Sequence, residues 1–430
     1  MKKALVLLFA VMAAVTWAAP IKLLWMSTGP LTFMPGQDKG GFESLDKKLI
    51  AAWEKANPGV TVTVTYRDVT QGMMSFQTLL AAGTPPDVWM DAAGNINPYL
   101  HDAYAINFGQ YLTKTQLSVY NPESISPYIR NGNYYALPEA QVCGGFAVNL
   151  DMLASIGEKL PAQAAWTTDE FYRIAKKLKA AGIPALVFFT KNGLSGWDQL
   201  WFGAFGASMY KNKDYSKTTI NSPEAVKALN WMKKLVDEGL VAAPPNEMTD
   251  DDSIELYTTG KLFSGIMQNG HSDYWIPEQV KAGKLAKEFA MTFVELPHAP
   301  GLKHAPTFGY QTIVVAHRSA NEAKNKAVVK LAYEVAAGKD YVYAGCVTAG
   351  GFTTRSDVNP KGGVTDKPSY ASIAALAKVA GLQDLNPFGP RTKEVSALWK
   401  EPIQAFFNGE VTAQKLLADF EAAANEVLAR

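Results

Sequence analysis

The stretch Gly83–Gly94, GTPPDVWMDAAG, decides how this chain is read. Pro85 and Pro86 cannot continue the helix-like run MMSFQTLLAAG before them, because proline lacks the backbone N–H and clashes with the preceding turn. They turn the chain into DVWM, a short apolar strand, and Asp91 follows at its carboxyl end. Ala92, Ala93 and Gly94 are small enough to leave room beside that carboxylate. An acid in this place either faces a ligand or caps the next turn through the Ala93 or Gly94 N–H, and the sequence leaves both open.

The neighbouring segments supply the context. IKLLWMS reads as a first strand that stops before Gly29-Pro30. In FESLDKKLIAAWEKANPG, Phe42, Leu45, Leu49 and Trp53 recur at helical spacing, and Asn57-Pro58-Gly59 ends the helix. VTVTVTY alternates with period two, the clearest strand in the chain. Strand, helix, strand, helix, strand is the grammar of a parallel sheet covered by helices, in which ligands gather beyond the carboxyl ends of strands. Ser27 and Thr28 stand at such an end, as Asp91 does.

Further on, YYALPEAQVCGGFAV reads as two extended pieces, around Leu137-Pro138 and around Gly144-Gly145. Proline stiffens one end and paired glycines loosen the other, as a crossing between domains needs. TTDEFYRIAKKLKAAGIPALVFF predicts a helix capped by Thr168, with Phe171, Ala175 and Leu178 on one face, running into a strand. Ser222 and Pro223 open another helix. LFSGIM is a strand ending at Gln268-Asn269-Gly270, and YQTIVVA a strand before a helix from Asn321 to about Ala337. Two helices separated by Asn408-Gly409 close the chain.

Composition narrows the function. MKKALVLLFAVMAAVTWA has a basic start, an apolar core and small residues at Thr16 and Ala18, the pattern of a cleaved export signal covering residues 1–18. Its removal leaves 39 basic against 40 acidic residues, a formal charge of −1, which offers no polybasic surface for nucleic acid or anionic lipid. More than 400 residues with 48% apolar content points to two domains. Cys143 and Cys346 form either one disulfide of the oxidising compartment or two buried thiols. Five scattered histidines make no zinc signature, and neither a metal nor a cofactor is expected.

No phosphate-binding glycine loop, dinucleotide fingerprint or nucleophile elbow is present. Asp91, Glu139, Asp198 and Glu295 offer carboxylates for glycoside hydrolysis, but no spacing pairs them. SGWDQLWFGAFGASMY is more telling. Trp197 follows glycines and precedes Asp198, and a flat apolar face beside an acid suits a sugar ring or an organic cation. The bland alternative puts Trp197 in the core beside Trp201 and Phe205.

The order of these elements resembles family 1 extracellular solute-binding proteins, the receptor components of ABC importers: leader, strand-helix-strand, GTPPDV, NYYALP, Gly-Trp-Asp, GKLFSGIMQNG and a late glycine-threonine loop, Gly350–Arg355. The resemblance covers nearly all of the chain after the leader. It implies an α/β fold of two domains, type II-like, with a small solute held in the cleft between them. The implied lobes are 19–138 with 309–360, and 139–308 with 361–430. It places Asp91, Gln268, Asn269 and Tyr310 at the ligand, and VSALW resembles a late helix that presents a stacking residue, Trp399. The long insertion STGPLTFMPGQDKGG and the two cysteines depart from the pattern, the insertion leaving Ser27 screened or displaced.

The resulting expectation is a periplasmic, monomeric receptor that makes no bond. It captures a polar solute, first of all a carbohydrate, through Asp91, Trp197, Asp198, Gln268, Asn269, Tyr310, Trp399 and Ser27, and hands it to permease subunits. The alternatives are a polyamine, quaternary amine or phosphorylated polyol as solute, and less favourably a secreted glycoside hydrolase. Protein recovered from the periplasmic fraction is expected to begin at Ala19 or within a residue or two; an intact mass that still includes Met1–Ala18 overturns that expectation.

Overall fold

Strand propensity and burial build one mixed sheet in the computed structural model, which describes residues 20–27, 40–66, 72–161, 165–193, 199–210, 215–268, 270–379, 382–384 and 391–430. In chain order the strands are β1 (Ile21–Ser27), β2 (Val60–Tyr66), β3 (Val88–Ala92), the hairpin β4 (Ile129–Arg130) and β5 (Asn133–Tyr134), then β6 (Leu137–Asn149). β7 (Ser264–Gln268), β8 (Met291–Val294), β9 (Thr307–Ala316), β10 (Phe352–Thr353) and β11 (Leu382–Asp384) complete them. The sheet runs β10-β6-β9-β3-β1-β2, with β7 and β8 also on β6 and β11 on β9.

β1 pairs in parallel with β2 and β3, as the strand-helix-strand-helix-strand opening requires. β2 lies at the edge, and its side chains alternate between half-buried and exposed. β3 is buried throughout, so DVWM is an interior strand between β1 and β9.

Two long strands join the halves of the molecule. Leu137–Gly144 of β6 pairs antiparallel with Phe308–Val314 of β9. Beyond Gly144, β6 pairs instead with β7 and β8, while the far half of β9, Thr312–Ala316, pairs with β3. Each strand therefore starts in one lobe and ends in the other. The two extended pieces read from the sequence are one strand of 13 residues, interrupted only by a bulge between Pro138 and Ala140. The buried apolar residues follow the same division. Leu23, Trp25, Val88, Val314 and Leu331 belong to one cluster, and Phe146, Trp201, Leu229, Phe308 and Phe420 to another.

Helix positions follow from the apolar spacing. Leu49 and Trp53 are buried beneath helix Gly40–Ala56, which Gly59 ends with φ +86°. Helix Thr168–Ala180 buries Phe171, Ala175 and Leu178. Its cap is Thr167 rather than Thr168, because Thr167 and Glu170 form a reciprocal capping box. Ser222 caps helix Pro223–Asp237 as expected. The ALVFF segment stays extended and buried, with a parallel bridge between Leu186 and Val241 and a backbone hydrogen bond from Ser264 to Ala185.

Gly144 is required for space. A Cβ there would fall 1.8 Å from the Phe308 ring. Gly144→Ala is expected to destabilise the protein by about 1–3 kcal/mol, because the ring has to be displaced from a filled core. Urea denaturation checks this, and a midpoint equal to wild type rejects the close contact.

Candidate functional site

The carboxyl ends of β1, β3 and β7 meet the β6–β9 crossing, and this edge gathers the polar side chains of interest. Gln268 is the last residue of β7 and lies opposite Gly144. Tyr310 lies opposite Val142 on β9. The bare backbone of Gly144 and the register of the two ladders bring them together: the Tyr310 hydroxyl donates to Gln268 Oε1 at 3.0 Å, with both residues buried. Gln141, on the crossing itself, donates to the Val142 and Tyr310 carbonyls at 2.9 and 3.0 Å.

The other expected residues are distributed differently. Asp91 is fully buried, and its Oδ1 accepts the Ala92 N–H at 2.6 Å and Asn95 Nδ2 at 2.8 Å. The helix Ala93–Ile96 that follows has no side-chain cap, so neither the Ala93 nor the Gly94 N–H is the donor that the turn-capping alternative expected. Ser27 is also fully buried and donates to Asp46 at 3.3 Å. Trp399 is a correction. Its indole is 0% exposed and lies between Phe420, centroids 3.6 Å apart, and Phe202, 5.7 Å apart, so neither face is open to a ligand. Apolar residues on both sides of helix Lys400–Phe407 pull it inward; VSALW is a core motif here. Trp197, Asp198 and Asn269 lie outside the described residues.

The disulfide alternative also falls. No bond joins Cys143 and Cys346; both are buried thiols. Cys143 packs in the apolar cluster of Ala147, Met267 and Phe293, while Cys346 sits on helix Lys339–Ala349. Burial pushes the Cys143 thiol up to about 12 and the Cys346 thiol higher still, so neither is a reactive thiolate. Glu295, one of the possible catalytic acids, is occupied with its own loop: it contacts His304 Nδ1 and accepts the Ala305 N–H, each at 2.9 Å.

Sequence reasoning missed Asp46. It is fully buried, and its two oxygens accept the Ser27 and Tyr341 hydroxyls, the latter at 2.6 Å. The signal was present, since Asp46 shares the helix face of Leu49 and Trp53, three and seven positions on. An acid on an apolar face needs donors from elsewhere in the fold. Ser272 and Asp273 were missed as well. Both lie in the first turn of helix His271–Lys281, directly beyond β7, and Asp273 accepts the Ser369 hydroxyl. Burial raises the Asp273 carboxyl above its ordinary value. A separate groove of about 1060 Å³ runs between helices Gly40–Ala56 and Glu322–Ala337, lined by Leu45, Trp53, Val329 and Tyr333 among others. It contains none of the expected ligand residues.

Asp91→Asn is expected to lower solute-free stability by about 1.5–3 kcal/mol, since the charged acceptor serves two donors in the core. Trp399→Ala should cost about 3–5 kcal/mol through the cavity it leaves. Thermal denaturation of both variants is the measurement, and an unchanged midpoint removes the assigned structural role.

Known proteins give the same architecture. A chitin oligosaccharide binding protein superposes with TM-score 0.79 at 17% identity, covering 96% of this chain and all of the other. An ABC substrate-binding protein from Listeria monocytogenes, solved with cycloalternan, gives 0.75 at 18% identity over 94% and 98% of the two chains. A protein of Deinococcus radiodurans named as an ABC transporter-binding protein is 24% identical over 68% of this chain and 69% of its own length. Among the described residues no helix is long and apolar enough to cross a membrane. Residues 48–372 match the family model for bacterial extracellular solute-binding proteins, and the chain belongs to that family.

Proposed function

We propose that this protein is a receptor that closes its two lobes on a carbohydrate outside the cytoplasmic membrane and delivers it unchanged to the permease of an ABC importer. The observation that carries this reading is the contact of Tyr310 with Gln268, where two strands shared by both lobes bring polar side chains to the carboxyl edge of β7. The proposed lobes are residues 19–138 with 309–360, and 139–308 with 361–430, joined through β6, β9 and the segment around β10.

A solute at this edge touches both lobes and so favours their closed arrangement over the open one. Gln268 and Tyr310 present amide and phenol groups that both donate and accept, which matches sugar hydroxyls better than a purely cationic or anionic head. Each buried hydroxyl paired with such a group adds about 0.5–1.5 kcal/mol, and more where the partner is charged. Trp197, Asp198 and Asn269 are the proposed complement to this pair, with stacking from the indole. Asp46 and Asp91 at this edge accept hydrogen bonds from the protein's own donors, which speaks for binding without bond cleavage. The oligosaccharides named for the structural relatives point to the same solute class. The receptor is proposed to work as a monomer, exported by a cleaved signal.

Native mass spectrometry of protein purified from the periplasm without unfolding tests this. The expected result is a bound species with the mass and fragmentation of an oligosaccharide, released intact on denaturation. A phosphorus-containing or amine-containing adduct replaces the carbohydrate reading. Shortening of the released sugar on incubation with the protein replaces the receptor reading with that of a hydrolase.

A further inference from the structure

Between Pro138 and Ala140, β6 has one residue more than β9: Pro138 faces Ile313, Ala140 faces Thr312, and Glu139 bulges out of the ladder. β10 joins at the same place. Thr353 pairs with Ala140, and the Thr354 hydroxyl donates to the Pro138 and Glu139 carbonyls at 2.8 and 3.1 Å. Three strand segments thus converge on one acidic residue.

The Glu139 side chain is 1% exposed, and its Oε2 has no hydrogen-bond donor among the described residues. The groups near enough to act on it electrostatically are Thr312 from β9, Asp46 from helix Gly40–Ala56, Tyr341 and Cys346 from helix Lys339–Ala349, and Tyr120. Tyr66 at the end of β2 and Arg355 after β10 act on these tyrosines from one step further out. The guanidinium does not neutralise Glu139. Its nitrogens donate to both Asp357 oxygens, at 2.8 and 2.9 Å, and to the Ala337 carbonyl. Asp46, fully buried, adds a second carboxyl to the same interior.

We propose that Glu139 is a positioning residue of the lobe crossing that works as an uncharged acid, so that ionising it loosens the junction of β6, β9 and β10. A neutral carboxyl fits this interior without a cation, whereas a carboxylate would be a buried, unpaired charge. Burial raises its pKa to about 8, with Thr312 pulling the other way and Asp46 adding to the rise. The solute capture proposed above passes through this junction; that consequence rests on the receptor reading, but the test below does not.

The sign follows from proton counting. Between the ordinary value of 4.5 and about 8, the folded protein holds a proton on Glu139 that the unfolded chain has released. The acid's contribution is therefore fully present below the lower value and lost as pH rises to the upper one. Urea unfolding of the mature wild type and of Glu139→Gln, between about pH 5 and pH 9, reads this directly. The wild-type folding constant, divided by that of the variant, is expected to fall about tenfold per pH unit and to level off above about 8. Parallel curves overturn the proposal, because a purely structural hydrogen bond gives a constant offset. Should Glu139→Gln fail to fold, the carboxyl carbon of Glu139 is followed by NMR in wild-type protein labelled at glutamate and assigned with Glu139→Asp. Titration near 8 supports the uncharged acid, and titration near 4.5 overturns it. Amide exchange of residues 137–144, corrected for intrinsic rates, should accelerate on the alkaline side in wild type and not in Glu139→Gln. Equal behaviour of the two proteins overturns the positioning role.

Discussion

The antiparallel pairing of Leu137–Gly144 with Phe308–Val314 is the contact on which the rest of the molecule depends. Side chains on paired strands alternate with period two, so a slip of one residue would turn each strand inside out in both lobes at once. Val314 and Leu137 feed the first-lobe core, while Phe308 and Phe146, on the same two strands, feed the second. The register is thus held by two cores, and it fixes where Tyr310 meets Gln268. A polar pair at a lobe junction is a consequence of strand pairing before it is a property of a binding site.

Buried acids show how the edge of the first lobe is organised. Asp46 receives hydroxyls from β1 and from helix Lys339–Ala349, and Tyr341 on that helix is 295 positions from it. Asp91 receives the Ala92 N–H and the Asn95 amide, both within four positions of it. The first ties distant elements together and the second shapes a local bend, although both acids sit beside strand ends. Removing either leaves donors without an acceptor in a dry interior, which costs more than the hydrogen bond itself contributed.

The architecture was largely legible in the sequence because it rests on periodicity. VTVTVTY, the Leu49–Trp53 face, the Ser222 cap and the helix before Ala337 all appear where the pattern put them. The two-lobe fold was legible through element order. The site was less so, for identifiable reasons. Trp399 and a ligand-stacking tryptophan have the same local sequence, and only the packing of Phe202 and Phe420 against both faces separates them. Asp91 stands at a strand end in either role, and the donor it meets in the fold, Asn95, is ordinary in the sequence. Tyr310 and Gln268 were legible as separate positions. Their contact was not, since it joins residues 42 positions apart through two different ladders.

The glycine pair at the crossing shows a similar ambiguity between room and motion. Gly144-Gly145 reads as a flexible joint because glycine has the widest conformational range. In the fold, each position is closed in by a neighbour: Phe308 covers Gly144, and an added Cβ at Gly145 would lie 3.1 Å from Ile373 and 3.3 Å from Leu376. Such glycines allow dense packing between strand and side chain, and dense packing resists bending. The ladder is interrupted instead at the bulge, where Glu139 is left out of register and its carbonyl accepts from Thr354. A bulge concentrates twist and relaxes pairing without removing side-chain contacts on either side. The interruption of the crossing ladder therefore lies at the acidic residue after Pro138, five positions before the first glycine, while both glycines are closed in by side chains.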